Sequence, residues 1–285
     1  MGVVVADLPC RKCSYNVRSL TVTARCPECG APVGVAVHGD LLRYSDPTWL
    51  QNLSTGAGLA FWGILLNAVG GFVAGIVAQV AGAWTGPLMG IAAGLLYLYG
   101  AWQLTQPDPS GLGENRYGRA RQIIRVALVV GVLSQFLQFV VATTAPPREL
   151  FIAIGVVATG AGLVGVVGHF AMLRYLDRLA QRIPDPALAK SARTLFWAYG
   201  STMAAAIVLG GAVAIALALN GGARFQGAPG AAAGLLGTAA FVGCGLGIAL
   251  LVFGIMFLVL LRRLQGAFSL QAHYARQVWG GTPAV

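Results

Sequence analysis

The sequence predicts an all-α polytopic membrane protein of six transmembrane helices, preceded by a small N-terminal β-module that carries cysteines. Three observations predict it. Hydrophobic residues make up 57% of the 285 positions and charged residues only 10%, against roughly 25% charged in a soluble domain. The apolar residues fall in six long runs, each close to or above the ~20 residues that cross ~30 Å of hydrocarbon. Four of the five cysteines form two C-x-x-C pairs near the N-terminus. This composition excludes a disordered chain and argues against a water-soluble globule.

In chain order, residues 1–45 read as a polar cytoplasmic module, 46–265 as the transmembrane domain and 266–285 as a cytoplasmic tail. The opening MGVVVADLPC lacks the basic start and apolar core of a signal peptide. The expected spans are Leu59–Val80, Trp84–Leu104, Ile123–Thr143, Leu150–Leu173, Leu195–Leu219 and Leu235–Leu261. Trp49, Trp84, Trp102, Tyr175 and Trp197 stand at their ends, as an interfacial aromatic belt would.

The net charge of +10, from 19 Lys+Arg against 9 Asp+Glu, sets the orientation. Arg11, Lys12, Arg18, Arg25 and Arg43 precede the first span, and Arg116, Arg119, Arg121 and Arg125 lie between the second and third. Arg174, Arg178, Arg182, Lys190 and Arg193 lie between the fourth and fifth, and Arg262, Arg263 and Arg276 follow the sixth. Only Arg148 and Arg224 fall on the other side. The positive-inside rule then places both termini in the cytoplasm of a bacterial-type inner membrane. The outer connections are short, so a soluble partner is met from the cytoplasmic face.

Three of the six aspartates precede proline: Asp46-Pro47, Asp108-Pro109 and Asp185-Pro186. Asp is a strong N-cap and Pro suits the first helical position. Each pair stands ahead of one helical hairpin, so the chain reads either as three two-helix repeats or as one good helix start used three times. Apolar residues at helical spacing after Asp46 and Asp185 suggest a short interfacial helix leading into those hairpins.

Cys10-x-x-Cys13 and Cys26-x-x-Cys29 are separated by twelve residues. Each pair can turn around one edge of a metal, and together they supply four thiolates to a tetrahedral site. The intervening Tyr15, Val17, Leu20 and Val22 suit a β-hairpin, and Arg11, Lys12, Arg18 and Arg25 would offset the thiolate charge. Two disulfides are the alternative, which a cytoplasmic N-terminus disfavours. Zinc is the expected metal and iron the rival, since both accept four thiolates. The knuckles are similar to those of rubredoxin and of the short rubredoxin-like domains of rubrerythrins.

The run from Cys10 through Tyr15, Arg18 and Leu20 to Arg25-Cys26-Pro27-Glu28-Cys29-Gly30 resembles the N-terminal zinc ribbon of a group of uncharacterised bacterial multi-pass membrane proteins. It covers about 30 residues. The resemblance implies a zinc ribbon and a membrane body and no activity. Ser14 departs from it, standing where that pattern has glycine.

None of the six expected membrane cores contains Asp, Glu, Lys or Arg, the residues that mark ion- and proton-coupled transporters. Ser134, Gln135 and Gln138 lie within about one turn of the third span and suit either a polar path or interhelical hydrogen bonds. His169 reads as an interfacial hydrogen-bonding residue and Cys244 as a small core residue. The 40 glycines include Gly71/Gly75, Gly82/Gly86/Gly90/Gly94, Gly230/Gly234 and Gly243/Gly247, spaced for close helix approach within or between chains.

With no catalytic constellation, the sequence points to a non-enzymatic membrane subunit or scaffold. Its metal-bound ribbon would be presented to a protein partner, and its glycine faces would serve a partner or a homo-oligomer. No aromatic platform accompanies the basic residues, so nucleic acid is not the expected partner. The alternatives are a channel or facilitator for a small solute, and a rubredoxin-like electron-transfer subunit. The linker Leu41–Asp46 reaches only about 20 Å when extended, which keeps the ribbon near the membrane face.

Overall fold

The computed structural model describes residues 2–38, 41–109, 114–144, 147–219 and 229–280. The long elements are all helical. A five-residue helix α1 (Gly34–His38) and a 3-10 turn (Leu42–Tyr44) lead into α2 (Pro47–Ala81), α3 (Thr85–Leu104), α4 (Glu114–Thr144), α5 (Arg148–Ala180), α6 (Pro186–Leu219) and α7 (Pro229–Gly280). Among the described residues, four stretches are long and apolar enough to cross a membrane: Pro47–Ala81, Tyr117–Thr144, Ala153–Ala180 and Gly247–Val278.

Each long helix packs against its chain neighbour, and α7 returns to α2, so the six close into a ring. The tightest joint is between α2 and α3, where glycines bring backbones together. A Cβ at Gly56 would stand 2.6 Å from the Leu104 nitrogen, one at Gly100 2.5 Å from the Ala60 nitrogen, and one at Gly63 2.7 Å from the Tyr97 nitrogen. The pairing of 56 with 104 and 63 with 97 makes the helices antiparallel. Gly82 turns the chain between them at φ +105°, which L side chains rarely adopt.

These are not all the glycines singled out by spacing. Gly90 and Gly94 do meet α4, at Gln135 and Val132. Around Gly71, Gly75, Gly86 and Gly247 nothing lies within 4 Å of a Cβ. Gly230, Gly234, Gly243 and Cys244 fall outside the described side chains. Gly100→Ala is expected to destabilise the protein by about 1–3 kcal/mol, because backbone atoms cannot give way to the added carbon. Gly71→Ala should be neutral or stabilising. Thermal unfolding in detergent separates the two, and equal midpoints would reject the close α2–α3 packing.

The core lies at one end of the ring. Leu42, Leu50, Leu53 and Leu104 meet Tyr175, Leu176, Leu264 and Phe268 there, all buried. Trp49 and Tyr175 belong to this core rather than to an aromatic belt: Trp49 Nε1 donates to the Gln106 carbonyl at 3.0 Å and the Tyr175 hydroxyl to the Leu104 carbonyl at 2.9 Å. Burial against other helix ends overrides the interfacial preference read from position alone. Trp84, Trp102 and Trp197 remain exposed.

Two of the Asp-Pro motifs start helices. Asp46 caps α2, accepting from the N–H groups of Thr48 (2.8 Å) and Trp49 (2.9 Å), and Asp185 caps α6 through Ala187 and Leu188. Partial burial works against the Asp46 carboxylate, but the Thr48 hydroxyl and these two N–H groups hold its pKa below the usual value. Neither capped segment is a separate interfacial helix, because each runs on unbroken into a helix of 35 or 34 residues. Asp108 also has a partner far along the chain. It is buried and receives Arg182 Nη2 at 3.3 Å and the Ser45 hydroxyl at 3.5 Å. The residues expected to form a tail likewise continue α7 as far as Gly280.

Candidate metal centre and interhelical chamber

The expected β-hairpin is reduced, among the described residues, to three isolated bridges: Val3 with Thr21, Pro9 with Asn16, and Arg25 with Pro32. The last two are equivalent. Each joins the residue before a C-x-x-C pair to the residue three positions beyond it. Within each loop the chain also closes the same way, Ser14 N–H to the Cys10 carbonyl at 2.8 Å and Gly30 N–H to the Cys26 carbonyl at 2.9 Å. Ser14 (φ 63°) and Gly30 (φ 69°) both adopt the left-handed conformation. Two copies of one knuckle therefore face each other, and so short a turn leaves few residues to pair as strands.

Ser14 thus occupies a position whose geometry favours glycine. A side chain there costs about 1 kcal/mol. Ser14→Gly is expected to raise the module's stability by up to about that amount, read as greater protease resistance of residues 1–38 on heating. Unchanged or lower resistance would reject the strain.

The knuckles bring all four predicted ligands together. The Sγ atoms of Cys10, Cys13, Cys26 and Cys29 lie within 4.8 Å of one another and can hold a metal ion. Cys10 is 3.6 Å from Cys29 and Cys13 is 3.6 Å from Cys26, too far for disulfides and close to the ~3.8 Å edge of a tetrahedron with 2.3 Å Zn–S bonds. Cys10 and Cys26 are buried with Val4, Val17 and Val33 in the module's small core.

The groups that favour thiolate at Cys10 are backbone amides and neighbouring thiols. Burial works against the Cys10 thiolate, but the N–H groups of Lys12 and Cys13, with the Cys29 and Cys13 thiols, bring it down to about 7. Cys13 receives the Tyr15 N–H, yet desolvation and the three neighbouring sulfurs push it up to about 12. Burial likewise raises Cys29. Four thiolates this close need a cation between them. Arg18, expected to offset their charge, instead contacts Asp7 at 3.3 Å.

A short, packed linker joins the module to the ring. Leu42 is buried among α2 and α7 residues, and its N–H donates to the Arg182 carbonyl at 3.1 Å. Tyr44 lies so close to α1 that a Cβ at Gly34 would meet its ring at 2.4 Å.

Beyond the packed end, the helices leave between them two adjoining, partly open cavities of about 180 and 390 Å³. Both are lined by Asn67, Gly94, Tyr97 and His169, the smaller also by Gln135 and the larger by Tyr199. His169 Nδ1 lies 3.4 Å from the Gly165 carbonyl. It faces this chamber, its ring 5.9 Å from Tyr199 and 6.5 Å from Phe257. The polar triplet of the third span is split: Gln135 turns toward the chamber, while Gln138 bonds Ser134 at 3.5 Å on α4 itself. Tyr97 and Tyr199 escaped the sequence reading because tyrosine at membrane depth looks like core. The available signal was their company on separate helices with Asn67 and His169.

No protein-family model, curated protein or solved structure matches this chain.

Proposed function

We propose that the chain is a six-span membrane protein with both termini in the cytoplasm, whose N-terminal zinc ribbon is a docking head for a protein partner and has no catalytic role. The observation that carries this reading is the four-sulfur cluster on a module tied to the bundle by a buried linker residue, Leu42. A metal-stabilised knob held at one face suits recognition of a partner. The remaining spans are α3, whose 20 residues match ~30 Å of hydrocarbon, and α6. The orientation follows from the 17 cations on one side, and several of these gather at the packed end of the ring. There Arg125 caps the carbonyl of Thr105 at 2.8 Å and Arg262 stacks on Phe61 at 4.4 Å. Zinc is preferred over iron, in keeping with the resemblance of the knuckles to those of membrane-anchored zinc ribbons.

The chamber favours a second reading, a facilitator for a small uncharged solute. Its lining offers amides, phenols and an imidazole, with no Asp, Glu, Lys or Arg. The packed end would then act as a closed cytoplasmic gate.

Deleting residues 1–40 is expected to leave an inserted bundle that has lost its co-purifying partner. Unchanged assembly size and composition in the same mild detergent would reject the docking role. Cysteine substitutions near Arg148 should label from outside, and those near Arg119 or Arg182 should not; external labelling at 182 would reject the orientation. Flux above that of empty liposomes would favour the facilitator, and iron by elemental analysis an electron-transfer subunit.

A further inference from the structure

The outer surface between α6 and α7 carries a groove of about 360 Å³ that neither reading uses. Lys190 of α6 and Arg263 of α7 stand at one end of it, and Ile255, Met256 and Val259 continue it along α7. Both cations are exposed, and among the described residues neither has a carboxylate partner. Of the acids at this end of α5 and α6, Asp177 is 3.8 Å from Arg193, and Asp185 accepts the N–H groups of Ala187 and Leu188. Thr194, also exposed, lines the groove one helical turn beyond Lys190.

We propose that this groove binds one anionic phospholipid, its phosphate between Lys190 and Arg263 and one acyl chain along Ile255, Met256 and Val259. The proposal rests on the membrane orientation above. In that orientation α6 enters the bilayer at Pro186 and α7 leaves it toward Arg263, so the two cations stand at headgroup depth. From Arg263 back to Ile255 is eight residues, about 12 Å along the helix, which spans the passage from headgroup to acyl chain. Arginine offers a phosphate a planar fork and lysine a compact charge. The Thr194 hydroxyl, about 6 Å deeper than Lys190, stands at the level of the ester carbonyls.

Charge decides against a zwitterionic lipid, because two cations without acids favour a headgroup of net negative charge. Shape decides against free phosphate, because Ile255, Met256 and Val259 are exposed by 54%, 39% and 48% and extend the groove where no anion would go. Basic pockets between helices at the cytoplasmic side are the usual form of such sites.

Native mass spectrometry of the full-length protein in detergent tests this, with dioleoyl phosphatidylglycerol, dioleoyl phosphatidylcholine and inorganic phosphate as the three probes. The wild type should retain one phosphatidylglycerol at least ten-fold more tightly than phosphatidylcholine. Lys190→Gln and Arg263→Gln should each weaken it about five-fold. Lys190→Arg should retain it, and Arg119→Gln, an equal loss of charge elsewhere, should leave it unchanged. Val259→Trp should weaken phosphatidylglycerol by filling the groove.

Equal retention of the two lipids, or wild-type retention in both glutamine variants, would overturn the site. Phosphate bound with the same dependence on Lys190 and Arg263, together with an inert Val259→Trp, would replace it with a simple anion site. External labelling of a cysteine at 190 would instead overturn the orientation, which is read separately from lipid retention.

Discussion

Cys26→Ser protein is expected to lose its stoichiometric metal and, with it, the fold of residues 2–38. The module's apolar core is Val4, Val17 and Val33 around the buried Cys10 and Cys26, far too little to offset the conformational entropy of ordering so many residues. Metal binding supplies the difference, on the order of 10–16 kcal/mol in comparable zinc peptides. With three sulfurs left the knuckles still turn, through the Ser14–Cys10 and Gly30–Cys26 hydrogen bonds, but only the small valine core joins one to the other. The change should therefore read as loss and not as weakening. Metal-to-protein ratio by elemental analysis and limited proteolysis of the first 40 residues measure it, with Cys244→Ser as the variant that keeps its metal. Full metal content in Cys26→Ser would reject the four-thiolate site.

Arg182→Met should destabilise the whole helical ring by on the order of 3–5 kcal/mol. Arg182 and Asp108 are both buried, at side-chain exposures of 5% and 3%, with Nη2 and Oδ2 3.3 Å apart. Removing the cation takes a countercharge away from a carboxylate that solvent hardly reaches. The loss also propagates. Arg182 Nη2 donates to the Ser45 hydroxyl at 3.3 Å, and its guanidinium lies 5.7 Å from the Trp49 ring. Three connections therefore meet on one side chain: the linker before α2, the chain after α3 and the turn before α6.

Replacing both partners by apolar residues, Asp108→Leu with Arg182→Met, should recover much of the stability, since a buried pair often adds little over a hydrophobic one. Thermal unfolding in detergent of the two single variants and the double variant forms the cycle. An Arg182→Met protein as stable as wild type would show that the pair is dispensable.

The outcome of the Asp-Pro motifs shows what sequence could and could not give. Asp followed by Pro is a local signal, and at 46 and 185 the local chemistry prevailed: the carboxylate found N–H groups two and three residues on. At 108 the same dipeptide also reaches 74 residues along the chain to Arg182. No spacing rule covers a partner that far away. The glycines behave alike. Four-residue spacing marks a face able to approach another helix, yet Gly71 and Gly75 have open space while Gly56, Gly63 and Gly100 carry the close contact.

Sequence alone determined the elements whose causes are local. Apolar runs set the long helices, and the C-x-x-C pairs gathered four sulfurs because each turn is fixed within a few residues. Only the tertiary structure decided that α7 returns to α2 and closes a ring, that Trp49 and Tyr175 face a core, and that Asn67, Tyr97, Gln135, His169 and Tyr199 share one chamber. The physical reason is that helical periodicity tells which residues lie on one face, while the neighbour of that face is set by packing between segments far apart in the chain. In a chain this apolar, lipid, core and chamber faces are nearly alike in composition, so the pattern has little with which to tell them apart.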